Sequence, residues 1–124
     1  QLDPNALHLW PRDEFMLIAL ANPTGDFTVT LFAPTATFGT LTSTDAVREF
    51  FLSEFGDFAA LVPDLVEQFQ ANPTGPLGTM RATGWSHEDR AVLVGDAAHA
   101  IVPFHGQGMN LAMESVRALD RHLR

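Results

Sequence analysis

Residues 91–110 read AVLVGDAAHAIVPFHGQGMN and contain the most informative pattern in the chain. Four apolar residues, 91–94, lead into Gly95 and Asp96, which is typical of a buried strand that ends in a turn. After a loop containing Pro, Phe, His and Gly, apolar residues recur every three or four positions through 108–123. The segment therefore predicts a strand, a glycine-containing loop and a long helix.

Each part of this segment suits a bound polyol-phosphate or heteroaromatic ligand. Gly95 has no Cβ and lets a ligand approach the end of the strand. An ionised Asp96 offers only hydrogen-bond acceptors, which suits ribose or ribityl hydroxyls. Gly106 and Gly108 allow backbone amides to turn outward, and a helix that begins near Gly108 presents unpaired N–H groups and a partial positive charge. The segment predicts a site for a ligand that carries a partial anion.

Taken singly, these features also have simpler explanations. Gly-Asp after a strand is often only a turn, and a dinucleotide fingerprint would have a third glycine where this chain has Leu111. Asp96, His99 and His105 match no familiar metal-ligand spacing, and the chain has no cysteine, so no metal site is expected. A serine hydrolase would need a Gly-x-Ser-x-Gly elbow, which is absent.

Composition narrows the class of protein. The chain has 124 residues, 46% of them apolar, which is enough for one globular domain with a single core. A net charge of −8 opposes binding to a polyanion, so no nucleic-acid partner is expected. No apolar run approaches the roughly 20 residues of a membrane helix. With no basic and apolar leader at the start, a cytoplasmic protein is expected.

Upstream of residue 91, three short apolar runs predict consecutive antiparallel strands. They cover residues 6–10, 15–21 and 27–32, and turn-forming Pro, Asn, Gly and Asp residues separate them. In the third run, apolar residues alternate with threonines, so one face is apolar and the other is mixed and ends in Phe32. The mixed face is a candidate pocket wall.

Two phenylalanine-rich runs predict helices between the strands and the segment at 91–110. Residues 45–55 have apolar side chains at helical spacing, with Ser43 or Thr44 placed as a cap and Gly56 as a stop. Residues 58–69 repeat the spacing, and the proline inside this run kinks the helix or starts a new one. The phenylalanines are expected to form the core.

As a whole, residues 91–110 resemble the second flavin-binding motif of the FAD-dependent aromatic hydroxylases, the group A flavoprotein monooxygenases. The matching positions are Gly95, Asp96, Ala97, Ala98, His99, Pro103, Gly106, Gln107, Gly108 and Asn110. The stretches LHLWPR, FMLIAL, FTVTLF and VPFHGQGMN agree with one member of that family, whose substrate carries a ring amine. The resemblance covers nearly the whole chain and is loosest over residues 33–69.

The resemblance implies an α+β fold. Residues 1–84 would form the antiparallel sheet and covering helices of a substrate domain, and residues 85–124 the strand, loop and helix of the second FAD-binding motif. The family's N-terminal Gly-x-Gly-x-x-Gly unit, which holds the ADP half of FAD, is not in this chain. We therefore expect the chain to be a central fragment, completed by the N-terminal and C-terminal parts of the same enzyme.

The resemblance also implies a role for individual residues. Asp96 would bind the ribityl hydroxyls of FAD, and Pro103 would lie against the flavin ring. The other residues implied at the cofactor are Gly95, Gly106, Gly108, Met109 and Asn110. Phe104 and His105 would border the aromatic substrate. The residues implied in its apolar wall, which ordinary sheet packing would also explain, are Leu7, Ile18, Leu20 and Phe32.

The chemistry implied by the resemblance is reduction of FAD by NADPH, capture of O2 as a flavin hydroperoxide, and hydroxylation of an aromatic ring. The cofactor carries this chemistry while the protein supplies orientation and a dry pocket, so no proton-transfer residue is expected. The chain alone is expected to be inactive and to self-associate through uncovered apolar surface. Another ring hydroxylase of the family and a non-catalytic binding module remain open as alternatives.

Overall fold

The computed structural model describes residues 2–124 and divides into two units, one ending at Thr74 and one spanning Gly75–Arg124. The first unit opens with a three-stranded antiparallel sheet in the order β1-β2-β3. Its strands are β1 (His8–Pro11), β2 (Met16–Ala21) and β3 (Phe27–Phe32). The three antiparallel strands predicted from the apolar runs are confirmed.

The turn between β2 and β3 is built from polar side chains. Gly25 has a φ of +89°, a conformation that side chains with a Cβ rarely adopt. The side chains of Asn22 and Thr24 both donate hydrogen bonds to Asp26 Oδ1. These bonds lower the pKa of Asp26 from its usual value of 3.8 because they favour the charged carboxylate, and the bond from Thr24 has the largest effect.

The register of the sheet separates its two faces. Trp10, Leu17 and Leu31 are paired side by side and pack against the core. Ile18 is paired with Thr30 and points to the opposite face, because successive side chains of a strand alternate. The predicted division into an apolar face and a mixed face is therefore confirmed.

Three helices follow the sheet: α1 (Thr35–Thr40), α2 (Thr44–Ala59) and α3 (Leu65–Ala71). Ser43 caps α2, since its Oγ accepts a hydrogen bond of 3.2 Å from the amide of Ala46. The segment between α2 and α3 contains the proline that the sequence marks as a kink or a new start. The structure shows two separate helices there.

Helix α2 bends at Phe55, where φ is −135° and ψ is 40°, and then continues to its end. The sequence predicts that this helix ends at Gly56, and the regular helix is interrupted one residue earlier, at Phe55, before a second helical segment continues to Ala59. Gly56 does not adopt a positive φ, and its carbonyl accepts a hydrogen bond from the amide of Ala60. Arg12 reaches the bend from the end of β1 and donates a hydrogen bond of 2.6 Å from Nε to the Glu54 carbonyl oxygen.

The core of the first unit lies between the sheet and helices α2 and α3. Aromatic rings contact one another edge to face across it, as between Trp10 and Phe58, whose centroids lie 5.1 Å apart. The expected role of the phenylalanines in packing is confirmed. The buried members are Leu17, Val47, Phe51, Phe55, Phe58 and Val66.

The second unit consists of two short antiparallel ladders and one long helix. Its strands are β4 (Met80–Arg81), β5 (Ser86–His87), β6 (Ala91–Val92) and β7 (His99–Ala100). Strand β4 pairs with β7, and β5 pairs with β6. Two single 3-10 turns, Gly95–Ala97 and Pro103–His105, precede helix α4 (Gly108–Leu123). No helix within residues 2–124 has the length and apolarity required to cross a membrane.

One expectation about this unit differs from the structure. The buried strand expected over residues 91–94 is only Ala91–Val92, and Val92 and Leu93 are 46% and 42% exposed. The two-residue ladder with β5 joins the backbone edges of the strands and covers neither face, so pairing alone does not bury these side chains. The two units divide after Thr74, and β4 pairs with β7 within the second unit. The domain boundary expected after residue 84 stays a prediction.

Candidate functional site

The predicted strand-to-turn junction is built around Gly95. Its φ is +60°, and a Cβ placed there would lie 3.1 Å from the Cβ of Ala112 in α4. A glycine is therefore required both by the backbone conformation and by the close approach of the helix. Asp96 follows directly and is exposed. Within residues 2–124 its carboxylate has no hydrogen-bond or ion-pair partner, so its oxygens are available as acceptors.

The loop before α4 is a second tight turn. Pro103–His105 forms a 3-10 turn, and the amide of Gly106 donates a hydrogen bond of 3.0 Å to the Pro103 carbonyl oxygen. Gly106 takes the left-handed conformation at φ 61° and redirects the chain into the helix. Phe104 and His105 are both exposed on this turn. The residues implied to meet the flavin ring and the substrate are thus presented together on one short turn.

The first turn of α4 has no side-chain cap. Its first backbone bond runs from the amide of Leu111 to the carbonyl oxygen of Gln107. The amides of the three preceding residues therefore lie outside the helical ladder, and the end of the helix carries a partial positive charge. These residues are Gly108, Met109 and Asn110. The predicted start of the helix at Gly108 is confirmed.

The implied substrate wall lies in the first unit. Ile18, Leu20 and Phe32 occupy the sheet face opposite the core, because their strand partners alternate in the same register. Ile18 is buried, whereas Leu20 is 52% exposed. Leu7 is also exposed and comes just before β1 begins at His8. The structure brings three of the four wall residues onto one face, and the wall and the Asp96 turn belong to different units.

His99 is a matching position of the motif to which the sequence assigns no role, and the structure gives it defined contacts. His99 Nε2 lies 3.2 Å from Ser115 Oγ, and the His99 ring packs edge to face on Trp85 at 5.4 Å. The signal in the sequence is faint, since Ser115 is 16 residues away in a different element. No group of three His, Asp or Glu side chains in the described part of the chain is arranged to hold a metal.

Comparison with known proteins gives a match to a family model described as an FAD binding domain, over residues 11–124. Three curated bacterial proteins named kynurenine 3-monooxygenase are similar to the chain. That of Stenotrophomonas maltophilia is 48% identical over 99% of this chain, and that of Flavobacterium johnsoniae is 47% identical over 97%. That of Xanthomonas euvesicatoria is 49% identical over 99%. The chain spans 28% of the length of each of these relatives.

Kynurenine 3-monooxygenase is the family member that the strand stretches and VPFHGQGMN resemble, and all three relatives carry this name. The resemblance to the FAD-dependent aromatic hydroxylases is therefore confirmed. The family model reaches from Pro11, the last residue of β1, to Arg124, the residue after α4. It includes the sheet face as well as the turn at Gly95 and the loop before α4. The chain therefore belongs to the family of FAD-binding domains.

Proposed function

We propose that the chain is the central part of an FAD-dependent, NADPH-using kynurenine 3-monooxygenase, which hydroxylates L-kynurenine to 3-hydroxykynurenine. The observation that carries the proposal is the arrangement within the second unit. An exposed Asp96 without a partner among the described residues follows a glycine packed on α4, and the same helix begins without a side-chain cap. The names of the relatives supply the substrate.

The residues of the second unit fit FAD. Asp96 would accept hydrogen bonds from the ribityl hydroxyls, and Pro103 would lie against the flavin ring. Gly95 and Gly106 would leave room for the cofactor because they carry no side chain. The amides of residues 108–110 would stabilise the negative charge that the flavin gains on reduction, as a helix N-terminus does. When bound and reduced by NADPH, FAD supplies the activation of O2 that ring hydroxylation needs.

The residues proposed for the substrate are assigned within each unit separately. In the first unit, Ile18, Leu20, Phe32 and Leu7 would provide an apolar wall for an aromatic ring. In the second unit, Phe104 and His105 would border the aromatic substrate. The chain contributes orientation and exclusion of water. None of its side chains acts as a proton-transfer catalyst.

The partners of the chain are the N-terminal and C-terminal parts of the same protein. Helix α4 exposes Met109, Met113, Val116 and Leu123, which supports self-association of the chain when it is isolated. Cytoplasmic location and the absence of a nucleic-acid partner stay predictions of the sequence.

The test is product analysis with the whole protein. The FAD-loaded protein is incubated with NADPH, O2 and either L-kynurenine or 4-hydroxybenzoate, and the products are separated by chromatography. We expect 3-hydroxykynurenine from the first substrate and no ring hydroxylation of the second. Hydroxylation of 4-hydroxybenzoate alone would identify a different hydroxylase of the family. A whole protein that neither binds FAD nor oxidises NADPH would support a non-catalytic binding module.

A further inference from the structure

Two contacts hold the segment around Asp96 against helix α4. Gly95 lies against Ala112, and His99 lies against Ser115. Ala112 and Ser115 are three positions apart and therefore share one face of the helix. This face of α4 therefore contacts the turn both before Asp96, at Gly95, and after it, at His99.

The hydrogen bonds of Ser115 assign the proton of His99. Ser115 Oγ lies 2.9 Å from the carbonyl oxygen of Leu111, which can only accept, so the single hydroxyl proton of Ser115 is donated there. Ser115 Oγ must then accept the hydrogen bond from His99 Nε2 at 3.2 Å. His99 Nε2 therefore carries a proton.

The other ring nitrogen supports the same assignment. His99 Nδ1 is buried and has no hydrogen-bond partner among residues 2–124. A proton on Nδ1 would be a buried donor without an acceptor, which costs free energy. Trp85 packs edge to face on the same ring, and its Nε1 is fixed by a hydrogen bond of 2.8 Å to the Ala82 carbonyl oxygen. The imidazole is thus held in one orientation.

We infer that His99, held as its Nε2–H tautomer by Ser115, is a positioning residue that sets the placement of the Asp96 carboxylate relative to the N-terminus of α4. The effect on FAD rests on the proposed function, because Asp96 and the first amides of α4 would hold two different parts of the cofactor. Loss of the His99 bond would weaken FAD binding without removing a group that contacts FAD.

Substitutions at both ends of the bond test this inference in the whole protein. His99→Gln keeps an amide nitrogen near the position of Nε2, whereas the shorter His99→Asn cannot reach Ser115. Ser115→Ala removes the acceptor. We expect His99→Asn and Ser115→Ala each to raise the FAD dissociation constant about threefold to tenfold, the effect of one hydrogen bond. His99→Gln should stay close to the wild type, and the double variant His99→Asn/Ser115→Ala should be no weaker than either single variant.

Two further measurements do not depend on enzyme activity. Nitrogen-15 NMR of the histidine rings should show His99 protonated at Nε2, and Ser115→Ala should shift that signal. Thermal unfolding of the wild type, His99→Asn, Ser115→Ala and the double variant, all without added FAD, should show the same non-additivity. Protonation at Nδ1, or additive effects in both cycles, would overturn the inference. If the whole protein bound no FAD, the proposed function would fail while the tautomer and the unfolding cycle would still decide the role of His99.

Discussion

Gly95 approaches α4 so closely that a Cβ on it would lie 3.1 Å from the Cβ of Ala112. Gly106 has nearly the same backbone conformation, with φ of +61° against +60°, but no atom of residues 2–124 outside its chain neighbours lies within 4 Å of its Cβ position. The two glycines therefore separate the cost of a left-handed backbone from the cost of crowding.

Gly95→Ala should lower the free energy of unfolding of the whole protein more than Gly106→Ala does. Both variants place a Cβ in the left-handed region, which costs about 1–2 kcal/mol. Only the first also pushes against Ala112, and overpacking typically costs about 1–3 kcal/mol more. Chemical denaturation of both variants measures the difference. Equal losses of unfolding free energy in the two variants would show that α4 shifts at Ala112 to accommodate the added Cβ without cost.

Asp96→Asn should weaken retention of FAD by the whole protein about tenfold or more, because hydrogen bonds to a charged group contribute about 1.5–3 kcal/mol. Asp89→Asn is the control, since it makes the same change of charge at an exposed position of the second unit outside the motif. Fluorescence titration of the apoprotein with FAD gives both dissociation constants. An unchanged constant for Asp96→Asn would remove this residue from the cofactor site.

His105→Ala should leave FAD bound and NADPH oxidation possible, but lower the hydroxylated product formed per NADPH. His105 is exposed on the turn at 103–105 and is proposed to border the substrate, so its loss misplaces the ring or admits water. The NADPH consumed, the product and hydrogen peroxide are measured together, with peroxide expected to rise. Unchanged coupling between NADPH use and product would leave His105 with a purely structural role.

Arg12→Met should destabilise the first unit by about 1–3 kcal/mol. The substitution removes the hydrogen bond to the Glu54 carbonyl, the 2.9 Å ion pair with Asp57 and the guanidinium that lies 5.3 Å from the centre of the Phe55 ring. Arg48→Met is the control, because its ion pair with Asp45 is exposed and such pairs contribute about 0.5 kcal/mol or less. Denaturant midpoints of both variants check this, and similar midpoints would contradict a role for Arg12 at the bend.

The pKa of Asp26 should lie below 3.8 in the folded chain and rise in Thr24→Ala, because the Thr24 hydroxyl is the largest cause of its lowering. A lowered folded-state pKa stabilises the fold at pH values above 3.8, and this contribution is lost as the pH falls through the folded value. NMR titration of the Asp26 carboxyl carbon measures the pKa in both proteins. The same pKa in wild type and variant would show that the turn does not hold the carboxylate.

Features set by local patterns were predictable from the sequence. Short apolar runs between turn-forming residues identified the three strands, and Ser43 or Thr44 was the expected cap of α2. Helical spacing after the glycine-containing loop placed the start of α4 near Gly108. Helix α1 was not predicted, because its sequence TATFGT contains a single large apolar side chain and no helical spacing. The break at Phe55 lies one residue before the predicted stop at Gly56, but the contact of Arg12 with Glu54 at this break is not predictable, since the two residues are 42 positions apart in the sequence.

The candidate site also contains features that the sequence predicts and a contact that it does not. The turn at Gly95 and Asp96 and the loop before α4 are continuous motifs and were found as such. The bond between His99 and Ser115 joins two elements, so no spacing within either one reveals it. The prediction that residues 91–94 are buried was wrong. A run of apolar residues shows that a strand has side chains suited to burial, but it does not show whether another element packs over them.

The chain has two tryptophans and no tyrosine, and each unit contains one tryptophan. The Trp10 ring lies 5.1 Å from that of Phe58, whereas the Trp85 ring lies 5.4 Å from the imidazole of His99. Intrinsic fluorescence therefore offers a separate spectroscopic reporter for each unit once the other tryptophan is replaced by phenylalanine. Emission from Trp85 alone reports on its contact with His99, and emission from Trp10 alone reports on the packing of the sheet against α2.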